Sequence, residues 1–469
     1  MSDNLKNAVL QPLFTRLRNG FDRFSRGNYM SFRGKMWTLL ISSVIAVYVM
    51  IGGLPFVGSL LQTQAQQPVN DANAQLRLVE RVLQHIQDDY VDEPDLTKVR
   101  YGALRGLVGG LDPYSSYLTA DQVKAFSANN SNGRVGIGAE FSQLSLYLYV
   151  VSVQKDSNAD KSGLKAGDVV EYIENKATRD ISLYDAKQMI VGDAGSVVNL
   201  RVLRAGARPQ MLKVTRGISK APAPEGKLSA NKIGVIKVFS LEEGNAAAVR
   251  LQLQNLIKQG ADKIVLDLRG VAGGKIEEGV AIANLFIKDG DLAKVIGREN
   301  AVTKSFSADP SKHAFEGQAN VLADFGTAGA AEVIAAAFLD RKRGDVVGER
   351  SFGAGTEQQL FTLRSGDGLL LTTAKWASPL GTPFLAEDRT AMGVKPSVEV
   401  KRPDTPEAGE VEELIDQREE ENEQPAAPAT PARTPTPEPA KAVVEDTQLQ
   451  KAIEILGGAR ANAKAATAK

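Results

Sequence analysis

The stretch KIVLDLRGVAGG, Lys263 to Gly274, reads as an apolar strand over Lys263 to Leu268 that breaks into a glycine turn. A helical pattern follows to Phe286, so the turn joins a strand's C-terminal end to a helix start. Such a junction presents backbone N–H groups and is a natural place to hold an anion or an oxyanion. On either side the same alternation continues. Upstream lie a strand from Ile233 to Phe239 and a helix from Asn245 to Gln259. Downstream come the strand Val321 to Asp324, the small-residue stretch Gly326 to Ala331 and a helix from Glu332 to Phe338. Strands alternating with helices predict an α/β unit over residues 231 to 402.

Residues 131 to 217 have a different texture, with short apolar runs separated by glycine turns: Val135 to Phe141, Leu146 to Val153, Val169 to Ile173 and Val197 to Leu203, with a helix from Leu183 to Ile190. Gly136-Ile137-Gly138-Ala139 and GLKAGD, Gly163 to Asp168, stand in the order that resembles a PDZ domain. The resemblance implies that Gly136, Ile137, Gly138 and Ala139 receive a peptide's terminal carboxylate while a peptide pairs with the neighbouring strand. Residues 75 to 130 read as helical: Leu76, Val79, Leu83, Ile86 and Tyr90 fall on one helical face, and a second segment runs from Val99 to Val108 into Gly109-Gly110. His85 lies beside the apolar stripe, where no acid is expected to meet it.

The chain has 469 residues, no cysteine and two histidines, His85 and His313. That inventory excludes thiol nucleophiles, disulfide scaffolds and Cys-ligated zinc, and no metal or other cofactor is expected. Acidic and basic side chains balance at 56 each, which gives no reason to expect nucleic acid. The balance is uneven along the chain. Residues 1 to 36 carry seven Lys or Arg side chains against Asp3 and Asp22, and an 18-residue uncharged run follows from Trp37 to Leu54. This predicts a membrane anchor over 37 to 61 rather than a cleaved signal peptide. The basic segment would stay in the cytoplasm, making a single-pass inner-membrane protein with its bulk in the periplasm. Residues 403 to 446 hold thirteen acidic side chains and clustered Pro and Ala, which predicts a disordered linker.

Helical segment, PDZ and α/β unit together resemble the carboxyl-terminal processing proteases, S41-type serine proteases that use a Ser/Lys dyad. Further matches are LDPYSSYL at Leu111 to Leu118, LDLRG at Leu266 to Gly270, VVGERSFGAGTEQQ at Val346 to Gln359 and MGVKPSVEV at Met392 to Val400. A segment over 447 to 458 is similar to the family's terminal helix. The expected fold class is mixed α+β: an N-terminal helical segment, a β-rich PDZ domain and an α/β protease-like core.

The resemblance also locates the reactive positions, and they are vacant. Gly329 stands where the family's serine nucleophile would be, in Thr327-Ala-Gly-Ala-Ala-Glu332, and Ala354 stands where its lysine base would be, in Phe352-Gly-Ala-Gly355. Asp340 and Gln358 occupy the positions of the auxiliary acid and of the glutamine that orients the lysine. Gly273 and Gly274 match the oxyanion-hole glycines, while Val271 and Ala272 replace an Asn-Pro pair. A relocated nucleophile would need a hydroxyl beside a base. Thr327, Ser351 and Lys375 are the nearest candidates by sequence, with Thr327 expected instead to cap the following helix and Lys375 to be a surface charge. These residues predict an inactive homologue that binds protein C-terminal peptides and regulates or scaffolds an active protease paralogue. The alternatives are a working serine protease with a relocated nucleophile and a structural subunit of an active one.

Overall fold

A computed structural model describes residues 36–43, 72–128, 134–144, 147–205, 207–402 and 445–466. Residues 36–43 are helical and exposed. The rest of the expected anchor, residues 1–35 of the basic segment and residues 403–444 of the acidic linker lie outside the described residues. Among the described residues no helix is long and apolar enough to cross a membrane.

The chain divides into two units, Met1–Leu96 and Thr97–Lys469. The first contains helix α1, Ala72–Asp89. His85 on this helix is exposed, and its Nδ1 lies 2.7 Å from an Asp89 oxygen. The expectation that no acid meets this histidine is therefore wrong: residues four apart on a helix are neighbours.

The second unit begins with α2, Leu96–Gly109, strand β1, Ser116–Leu118, and α3, Ala120–Ser127, which a Thr119/Gln122 capping box starts. The PDZ part follows as β2 (Ala139–Leu144), β3 (Tyr147–Val153), the short α4 (Asn158–Lys161), β4 (Val169–Ile173), β5 (Lys176–Ala177), α5 (Leu183–Ile190), β6 (Val197–Leu203) and β7 (Gln210–Thr215). Its sheet runs β2-β3-β4-β6-β7, with β5 beside β4 and β2 at the edge. The strand expected over Val135 to Phe141 starts only at Ala139, because Gly138 takes φ +84° and holds the preceding residues in a loop. A Cβ there would also sit 2.3 Å from the Ser157 Cβ, so the position admits only glycine. The GLKAGD turn is fixed by Asp168, 1% exposed, which accepts from Arg204 Nε at 2.6 Å and Nη2 at 2.7 Å and from the Lys165 N–H at 2.8 Å.

The core continues through β8 (Glu225–Leu228), β9 (Ile233–Lys237), α6 (Asn245–Lys258), β10 (Lys263–Asp267), α7 (Ile276–Phe286), β11 (Asp291–Ile296), β12 (Val302–Ser307), β13 (Gln318–Ala323), α8 (Ala330–Asp340), β14 (Val346–Gly348), β15 (Thr356–Thr362), β16 (Gly368–Ala377), β17 (Val398–Glu399) and α9 (Thr447–Ala466). One sheet runs β17-β14-β13-β10-β9-β8 and is parallel except for the β8–β9 pair. An antiparallel sheet runs β1-β16-β11-β12, with β15 also on β16.

A parallel sheet needs both faces covered. Helices α6, α7 and α8 pack in the larger apolar cluster with Ile236, Ile264, Leu266 and Val321. The opposite face, Ile233, Val265, Leu322 and Val347, is covered by Ala452 and Leu456 of α9. The guanidinium of Arg269 bonds both oxygens of Asp446 at 2.8 Å, and the buried Lys263 ammonium donates to the Leu456 carbonyl. Burial works against the Asp267 charge, but the Arg269 hydrogen bond and nearby Lys237 overcome it and hold this carboxyl below its usual range. Ending the chain at Arg402 would uncover four buried side chains on that face. The expected loss is on the order of 5 kcal/mol in unfolding free energy, measured by urea titration.

Candidate functional site

The glycine turn after β10 and the small-residue turn before α8 are stitched together by backbone hydrogen bonds. Ala328 N–H donates to the Val271 carbonyl at 2.9 Å and Ala330 N–H to the Gly273 carbonyl at 3.3 Å. Small side chains allow the approach. A Cβ on Gly326 would come within 2.9 Å of the Gly270 Cα, and one on Gly279 within 2.4 Å of the Ala330 carbonyl oxygen.

Gly329 sits at the junction as the N-cap of α8, with φ 65° and ψ −116°, a conformation reserved for glycine. A Cβ at this position would point at the Gly273 peptide, 3.3 Å from its oxygen and 3.6 Å from its nitrogen. The structure thus brings Gly329 and Gly273 together. Gly274 adjoins them against Leu241.

The link to Ala354 is a residue that sequence reasoning missed. Glu332, fully buried at the third position of α8, accepts N–H bonds from Gly329 at 2.8 Å, Gly353 at 2.7 Å and Ala354 at 2.8 Å. It also accepts the Ser351 hydroxyl at 2.5 Å. One carboxylate therefore joins Gly329 to Ala354. Burial pushes the Glu332 carboxyl up to about 7, against these four donors, which pull it down. A glutamate three residues into an otherwise apolar helix was the available signal, since a buried carboxylate must find donors.

The hydroxyls among the candidate substitutes are committed elsewhere. Thr327 is fully buried. Its hydroxyl accepts the Asp324 N–H at 2.9 Å and lies 3.1 Å from the Leu268 carbonyl it can donate to. It closes a turn and does not cap α8, contrary to expectation, because Gly329 occupies the cap. The Ser351 hydroxyl donates to Glu332 and accepts the Val394 N–H at 2.7 Å. Burial pushes the Tyr114 phenol up to about 12, with the Ser142 hydroxyl donating to it at 3.1 Å. Lys375 is half-buried rather than a surface charge, and it lines a cavity of about 910 Å³ with Asp112, Thr372 and Met392. Asp340 lies at the far end of α8, about 16 Å along the axis from Gly329 by helix rise, and accepts the Leu380 N–H. Gln358 is exposed on β15 and donates to the Thr356 hydroxyl at 2.6 Å. His313 follows a short 3₁₀ turn, 3.6 Å from Glu316. Among the described residues no group of three acidic or histidine side chains is placed to hold a metal ion.

The peptide-binding candidates lie together. Val135 bridges to Gly192 after α5, which closes the end of a groove between β2 and α5. Among the described residues the Gly136, Ile137 and Gly138 N–H groups have no partner, while their carbonyls accept from Gly217, Ala159 and Gln154. Ile137, Phe141 and Ile190 line the groove above these donors. The arrangement can hold a carboxylate next to an apolar side chain.

Comparison with known proteins agrees with this architecture. Residues 232–400 match Peptidase family S41 and residues 149–204 match the PDZ domain family. The chain is 31% identical to the carboxy-terminal processing protease CtpB of Bacillus subtilis, covering 71% of this chain and 69% of that protein. It is 29% identical to CtpA of the same organism, over 78% and 77%. Among solved structures, the photosystem II D1 C-terminal processing protease superposes with a TM-score of 0.57 at 26% identity, covering 70% of this chain and 93% of that one.

Proposed function

The chain belongs to the carboxy-terminal processing protease family, and from that premise we propose that it is a catalytically inactive member that binds protein C-termini. The observation that carries this reading is the pair Gly329 and Ala354, which offers no nucleophile and no base, in a centre whose neighbouring hydroxyls are already bonded. Acyl transfer by this kind of enzyme requires both groups. The PDZ groove is by contrast equipped, with three unpaired N–H donors and an apolar floor.

The reading extends to place and partner. The basic segment and uncharged run support a single anchor with the binding groove outside the cytoplasm, where exported and membrane-protein tails would be its ligands and an active protease its partner.

Binding decides the matter. A fluorescent peptide ending in a free apolar residue is expected to bind the full-length protein at least tenfold more tightly than the same peptide with an amidated C-terminus, since the amide removes the charge the three donors receive. Equal affinity would overturn the tail-binding reading.

A further inference from the structure

The PDZ sheet is apolar on both faces. On β3, Leu148 and Val150 enter the PDZ domain's own core, while Tyr149 and Val151 point the other way and are equally buried. With Leu144, Val169 and Leu203 they pack on Ala328, Phe352 and Met392, and against Ala272 and Ala354, the walls of the vacant centre. Phe325 connects the two sides, with its ring 6.5 Å from Tyr149 and 5.3 Å from Phe352. The outer face of the PDZ sheet is thus fixed against the protease-like core, and alanine at position 354 is part of what makes the contact apolar.

This geometry bears on the groove. Strand β2 is the sheet's edge, so a tail that pairs with it becomes the next strand of the same sheet. Successive side chains of a strand point to opposite faces. The last residue then faces Ile137, Phe141 and Ile190, while the one before it faces outward, on the side where the core lies. There the cavity, about 520 Å³, is closed by core residues Phe239, Gly270 and Ala272. Phe239 and Ala272 are half-buried, with Lys155 over the Phe239 ring at 5.1 Å. The Glu140 side chain on β2 comes to 3.9 Å from the point where a Gly273 Cβ would sit, so the walls stand close.

We propose that the tail-binding groove has two walls, and that the degenerate oxyanion segment with Phe239 is the second, reading the penultimate side chain of the bound C-terminus. The ligand class is a protein tail with an apolar last residue and an apolar penultimate one. This rests on the reading that the groove takes C-terminal tails, and the test separates the two.

Fluorescent heptapeptides identical except for leucine or glycine at the penultimate position, each as acid and as amide, are titrated into the full-length protein and its Phe239→Ala and Ala272→Asp variants. The leucine acid peptide is expected to bind about tenfold more tightly than the glycine one, a contact of a few methylenes. Phe239→Ala should abolish that preference, and Ala272→Asp should reverse it. Circular dichroism melting checks that both variants are folded. If acid peptides outbind amides but the penultimate residue and both variants make no difference, the second wall is refuted and tail binding stands. If acid and amide bind alike, tail binding itself fails.

Discussion

Incubated with an unfolded protein substrate, the full-length chain is expected to release no peptides above background. Loss of the nucleophile or the base of a serine protease costs on the order of 10⁶-fold in turnover, and here both positions lack a functional group. Thr327 and Ser351 do not compensate, because each hydroxyl is already placed between a donor and an acceptor. Restoring Gly329→Ser alone is expected to lower stability by roughly 1–3 kcal/mol, as a side chain is forced into φ 65°, ψ −116°. Ala354→Lys alone places a charge beside the apolar cluster of Phe352, Met392 and the PDZ sheet. Mass-spectrometric detection of cleavage by the unaltered chain that Thr327→Ala or Ser351→Ala abolishes would overturn the proposed inactivity.

The second large effect concerns Glu332. Its carboxylate receives three backbone N–H groups and a hydroxyl inside the core. In Glu332→Gln one oxygen becomes an N–H₂ with two hydrogens and no lone pair to offer the surrounding donors, where the protonated carboxyl carries one hydrogen and still accepts, and the expected cost at acid pH is roughly 3 kcal/mol, read by denaturant titration. The pH dependence has a definite sign. Burial raises the folded-state value from 4.5 to about 7, so the folded protein holds this proton more tightly than the unfolded chain. The resulting stability is present in full below about pH 4.5 and is lost as pH rises through about 7. The stability difference between the natural chain and the Gln variant should therefore shrink across that window. A constant difference from pH 4 to 8 would show that Glu332 does not titrate there.

Much of the molecule is legible in its sequence. The strand over Lys263 to Leu268, the helix over Leu183 to Ile190 and the two-domain order were legible because each is a local pattern of period or punctuation. Boundaries at Ala139 and at Gly329 were not, since a positive φ in the preceding glycine or at the cap depends on what the chain packs against. The contact of His85 with Asp89 escapes the apolar pattern for a simpler reason: Asp89 lies one helical turn away and outside the apolar stripe.

By itself the sequence determined which chemical groups exist: no cysteine, glycine at 329 and alanine at 354, and glycines at 136 and 138. No fold can supply a side chain that is absent. Tertiary structure alone decided what surrounds those vacancies. The run Tyr147 to Val151 is apolar without alternation, which says that both faces of the strand are buried but not what covers the second. Glu332 meets Gly353 and Ala354 across 21 and 22 residues, and the Thr327 hydroxyl meets Leu268 across 59. Those partners are brought together by the parallel pairing of β10, β13 and β14, a non-local event that no local pattern of residues encodes.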